Sequence, residues 1–145
     1  MAPRIPVFDL YGAPSRDQVP GFLHAERIRV RARLHGWSIS THRHRDLYQA
    51  FLVADGGGTI EAEGRRETFG APHFLWIPAG VVHGFRFAPD TDGHVVTVAA
   101  DFLDEALGRS VARDLAPLRD HFVSAVPAEA EDLARAFAAI EAEFA

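Results

Sequence analysis

The stretch GWSISTHRHRDLYQ, residues 36–49, decides how this chain reads. At its centre His42 and His44 stand two residues apart. Strand side chains repeat every second residue, so the two imidazoles project to one face. Side by side they form the set that a metal ion or a buried anion requires. A second segment runs from Pro78 through Gly80 and His83 to Phe87. There a tight turn delivers one more His at the start of an apolar strand, whose alternation puts His83, Phe85 and Phe87 on a common face. Other short apolar runs surround these two: Trp37–Ile39, Tyr48–Ala54, Thr59–Glu63, Phe74–Ile77 and Val95–Ala99. Glycine and proline clusters separate them, at residues 56–58, 63–64, 70–72, 78–80 and 89–93. Many short strands with such punctuation predict a sandwich or barrel.

Length and composition bound the alternatives. The chain has 145 residues, 48% hydrophobic and 24% charged, which suits one soluble domain with its own core. Net charge is −5, against a nucleic-acid-binding face within these residues. No apolar run approaches the ~20 residues of a membrane span, so no membrane partner is expected. There is no cysteine, which removes disulfides, thiolate metal sites and thiol catalysis and fits a cytoplasmic protein. All fifteen basic residues are Arg, so lysine chemistry is absent as well. Eight His in a chain without Cys mean that any bound metal is held by imidazole, carboxylate or amide groups.

The remaining segments read as follows. Residues 1–21, with Pro3, Pro6, Pro14 and Pro20, predict an extended arm, and the barrel is expected over 22–100. Residues 26–34 alternate strictly, Ile28, Val30, Ala32 and Leu34 against Arg27, Arg29, Arg31 and Arg33, and predict a half-buried strand with a solvated Arg face, the alternative being an Arg row that meets carboxylates bidentately. Residues 101–145 predict helices, at 101–107, 110–122 and 127–145. In the last, Leu133, Phe137, Ile140 and Phe144 form a narrow stripe that is either a dimer seam or a face packed on the chain's own barrel. The chain stops inside that pattern, so Ala145 is expected to be a boundary within a longer protein.

The spacing of the two His segments resembles the cupin superfamily. Gly36, His42, His44, Gln49 and Gly56 follow its first motif, with Gln49 where the family has Glu. Pro78, Gly80 and His83 follow the second, with Pro72 for the family's Gly and Phe87 for its Asn. The resemblance implies a mainly β, double-stranded β-helix (jelly-roll) barrel followed by C-terminal helices. It also implies that His42, His44 and His83 line the barrel with Gln49 facing them. Such a set suits a divalent Zn, Ni or Fe ion, and the alternative is a polar lining for a small ligand. Replacing the carboxylate by Gln49 weakens metal affinity and removes a candidate general base.

Beyond the superfamily, residues 5–12, 23–28, 41–49 and 77–87 are similar to one subgroup of AraC-type transcriptional regulators, those like the 4-hydroxybenzoate-responsive activators. That resemblance implies an effector-sensing and dimerisation domain for a small aromatic acid, bound near His42, His44, Gln49, His83 and Phe85. It implies a homodimer, with DNA contacted only through a C-terminal domain that these residues lack. No catalytic residue is implied. The competing reading is a stand-alone metal-dependent cupin enzyme, a dioxygenase or isomerase, using the same three His.

Overall fold

A computed structural model describes residues 4–6, 23–111, 116–127 and 130–144, with no account of the side chains of 107–111 and 116–117. The arm expected over residues 1–21 therefore lies outside the described residues except at 4–6, where the Pro6 carbonyl accepts a hydrogen bond from the Arg43 N–H at 3.1 Å.

Among the described residues, nine strands form two antiparallel sheets. One has the order β1 (Leu23–Arg27), β8 (Asp92–Ala99), β3 (Leu47–Asp55), β6 (His73–Ile77) and β9 (Phe122–Ala125). The other has the order β2 (Ser38–His42), β7 (His83–Phe87), β4 (Gly57–Ala62) and β5 (Arg65–Gly70). Non-consecutive neighbours in both sheets give the jelly-roll crossovers of a cupin-type barrel.

The inner faces meet in one core. Phe51, Val53, Ile60, Leu75, Ile77 and Phe87 are all nearly inaccessible there. Fully burying side chains of this size contributes roughly 1.5–3 kcal/mol each. Strands β3 and β8 read as nearly continuous apolar runs because both of their faces are covered. Leu52 and Val96 point away from the barrel interior and pack with Phe137 in a second cluster, joined by the partly buried Leu133 and Ile140. The C-terminal stripe thus packs on its own barrel, with only Phe144 well exposed at 42%. The helix that carries it, α3, spans Glu131–Ala142, shorter than the expected 127–145.

Three expectations need correction. The alternating run 26–34 is not one strand: β1 ends at Arg27 and a helix, α1, covers Ile28–Leu34. Ile28 and Ala32 are both buried and lie four apart, a spacing that suits a helix face as well as a strand face. Val30 and Leu34, which an alternating strand would have buried, are 57% and 73% exposed. Asp92 decides between the two. Its carboxylate accepts from the Arg29 backbone N–H at 3.3 Å and from the Arg27 guanidinium at 2.5 Å. Arg27 is the N-cap of α1 and offers no side-chain cap, so a carboxylate from β8 satisfies an orphan donor of the first turn and opposes the helix dipole. Burial alone would raise the Asp92 carboxyl, but the hydrogen bonds from Arg27, Gly93 and Arg29 outweigh it and hold the group below its ordinary value.

The Arg row is correspondingly split rather than forming one solvated face. Arg27 and Arg29 turn to Asp92, while Arg31 pairs with Glu26. The second correction is at 110–122: α2 runs Ala100–Val111, a short 3-10 turn follows at Ala116–Arg119, and β9 then adds an edge strand beside β6. Trp76, whose orientation the sequence left open, points outward and donates its indole N–H to the Leu118 carbonyl at 2.8 Å. Third, β5 was not expected at all. It pairs with β4 through a two-residue turn, Glu63-Gly64, in which both residues have positive φ, the hairpin geometry that matches strand twist.

Candidate functional site

Strands β2 and β7, with the segment just after β2 that carries His44, build the site. His42 is the direct cross-strand partner of His83, after a register shift between Ile39 and His42. The Pro78–Gly80 turn is tied to the first His segment by the Gly80 N–H, which donates to the His44 carbonyl at 2.7 Å. These two links bring the imidazoles of His42, His44 and His83 together, with one ligand nitrogen from each lying within 4.8 Å of the others. All three residues are buried, at 4%, 4% and 1% exposure.

Hydrogen bonding fixes the tautomers of two rings. His42 Nδ1–H donates to the Ser40 carbonyl at 2.7 Å, and His83 Nδ1–H donates to the Val81 carbonyl at 2.9 Å. A carbonyl only accepts, so the Nε2 of each neutral ring carries a lone pair. Burial, partly offset by the Ser40 bond, lowers the His42 pKa. Burial and then the neighbouring His42 push His83 down to about 3. The His42 and His44 Nε2 atoms are 3.2 Å apart. Two lone pairs at that separation repel, so the contact is held either by a proton on His44 Nε2 or by a cation. His83 Nε2 is buried with no hydrogen-bond partner.

This set fits a divalent metal. Backbone carbonyls on Nδ1 orient the rings and leave Nε2 for coordination, as around metal-bound imidazoles generally. Tetrahedral ligands at about 2.0–2.1 Å from zinc sit about 3.3 Å from one another, close to the His42–His44 spacing. Gln49, the residue in the carboxylate position, lines the same cavity. Its amide nitrogen donates to Thr97 Oγ1 at 3.2 Å, which leaves its carbonyl oxygen for a ligand.

The cavity itself is small, about 50 Å³. That holds an ion with a water or two; a cavity that takes benzene is about 150 Å³. Phe85 forms part of its apolar wall, stacked on Phe87, which lies in the core behind it and does not reach the cavity. Sequence reasoning missed Ile39, Phe51 and Val95 on that wall and Glu26 and His35 at the polar end; Arg31 was legible only as one of four Arg that could meet a carboxylate. Only the helical break after Arg27 brings Arg31 back to Glu26, and no motif announces it. His24, His73, His94 and His121 do not line the cavity.

A family model, the AraC-like ligand binding domain, matches residues 24–144, which takes in both His segments, α1 and α3. The chain belongs to that family. No curated protein matches it. Among solved structures, an AraC-like domain of this sequence is similar to a cupin protein from Bacteroides fragilis, at 17% identity and TM-score 0.40, over 54% of this chain and 64% of that one. It is similar to KdgF from Halomonas sp. at 18% identity and TM-score 0.42, over 64% of this chain and 92% of that one. A cupin 2 conserved barrel domain protein from Salinispora arenicola gives 17% identity and TM-score 0.39, over 72% and 96%. No helix among the described residues is long and apolar enough to cross a membrane.

Proposed function

We propose that this AraC-like domain is the effector-sensing part of a transcriptional regulator, and that the effector, a small aromatic acid, is bound at the His42, His44 and His83 pocket. The observation that carries the reading is the buried, unpartnered Nε2 of His83 beside two more imidazoles, in a cavity with Phe85 and Phe51 on its wall. A buried polar atom without a partner costs about 1–3 kcal/mol and is retained where a ligand satisfies it. His42, His44 and His83, with Gln49 as the weaker fourth group, would hold a Zn, Ni or Fe ion. Such an ion supplies a Lewis-acid point for an anionic oxygen.

The cavity contains a single carboxylate among the described lining residues, Glu26, and Arg31 holds both of its oxygens. In this reading the domain works as a cytoplasmic homodimer of the 4-hydroxybenzoate-regulator type. It passes its signal to DNA through a separate DNA-binding segment, and an effector acts only as far as it binds one arrangement of the domain better than another.

The double variant H42A/H44A tests the assignment by calorimetric titration against zinc and a panel of hydroxybenzoates. Zinc binding is expected to disappear and the responsive acid to bind at least tenfold more weakly, with the strand content unchanged by circular dichroism. Unaltered affinity for the acid removes the pocket assignment.

A further inference from the structure

Arg31 and Glu26 close one side of the His cavity. The pair is bidentate, Nε to Oε1 at 3.0 Å and Nη2 to Oε2 at 2.9 Å. Its side chains are only 18% and 16% exposed. Glu26 comes from β1 and Arg31 from the last turn of α1, so the ion pair spans the junction at which the chain changes from strand to helix. The other three Arg of that run do not reach the cavity, and Arg31 is the one guanidinium among its described lining residues.

We propose that Arg31 is the residue that reads the carboxylate of the effector, and that Glu26 is an internal competitor which the incoming carboxylate displaces. The inference rests on the sensor reading above and names what the pocket selects: a monocarboxylate whose apolar body lies toward Phe51 and Phe85. A guanidinium fork matches one carboxylate as well as another, so Arg31 keeps two hydrogen bonds in the exchange while the displaced Glu26 carboxylate must turn out to water. A neutral amide cannot replace Glu26 on these terms. The cavity of about 50 Å³ holds an ion with a water or two rather than an aromatic ring, so uptake of the ring requires the apolar wall to move apart as well. Glu26 belongs to β1 and Arg31 to α1, so displacement removes this side-chain tie between the two elements.

The test is calorimetry with benzoate and with benzamide, its neutral isostere, on the wild type, Glu26→Gln, Arg31→Gln and the double variant. Benzoate is expected to bind E26Q about fivefold to tenfold more tightly than the wild type, because the competitor is gone, and R31Q at least tenfold more weakly. Benzamide is expected to bind all four weakly. A merely structural ion pair gives the opposite sign for E26Q: a less stable protein with weaker or equal binding. The double variant is expected to recover the stability lost in R31Q without recovering benzoate binding, and E26Q decides the matter if R31Q does not fold. Benzoate binding to R31Q at wild-type strength, or benzamide binding equal to benzoate, overturns the inference and leaves the sensor reading standing. Silence of both probes on every variant contradicts the aromatic-effector reading itself, and the inference falls with it.

Discussion

Metal-free protein is expected to lose about 2 kcal/mol of stability between pH 7 and pH 5 through His83 alone. In the folded chain, burial and the adjacent His42 hold that imidazole neutral, down to about 3. The unfolded chain has an ordinary imidazole near 6.5, so it takes up the proton first and acid favours unfolding. The loss begins as pH falls through about 6.5, proceeds at about 1.4 kcal/mol per pH unit and ends near the folded value. His42, also lowered by burial, adds in the same direction. Urea denaturation in the presence of a chelator at pH 7, 6 and 5 measures the slope. Saturating zinc is expected to raise stability at pH 7 by about 4 kcal/mol at a thousand times its Kd. A chelated protein whose stability is flat from pH 7 to pH 5 contradicts the buried, neutral rings of His42 and His83.

Phe137→Ala is expected to cost about 3–4 kcal/mol, within the range for deleting a buried phenylalanine. Phe137 is 6% exposed and packs edge-on to Phe74 with ring centroids 6.2 Å apart, over Ala25, Leu52 and Val96. It is the central contact of α3 with the outer face of the five-stranded sheet. The other main tie, between His94 on β8 and Glu141 on α3, lies one turn further along the helix. Losing the ring therefore both opens a cavity and loosens the helix. Chemical denaturation gives the cost, and amide exchange of residues 131–142 shows whether α3 opens ahead of the barrel. If the stripe were instead a dimer seam, the same substitution would shift the sedimentation coefficient with little effect on unfolding of the monomer.

The parts of the fold that were legible in the sequence are those in which one force dominates. Strands β3, β7 and β8 are apolar and bounded by turn residues, and their burial explains their composition. The His42–His44 pair and the Pro78–His83 turn were legible from their local spacing, although His44 lies just past the end of β2 and is held by the Gly80 N–H rather than by strand alternation. Residues 28–34 were not, because a period of two contains the four-residue spacing of a helix face. Asp92, more than sixty residues away, tips the balance. Strand β5 was hidden because it is a mostly exposed edge with one core residue, Phe69. At the site, the same limit applies to Glu26 and Arg31, whose meeting depends on the strand-to-helix break that the alternation concealed.

The central claim is that the effector is taken up at the three imidazoles. The measurement that tests it most directly is the side-chain ¹⁵N NMR spectrum of the histidines, recorded while the domain is titrated with zinc and with hydroxybenzoates. Free protein is expected to show His42 and His83 as neutral rings protonated on Nδ1. Ligand is expected to move the Nε2 resonances of His42, His44 and His83 together, with His73 and His121 unmoved. Saturable binding that leaves all three Nε2 resonances in place would contradict the claim and put the effector elsewhere on the barrel.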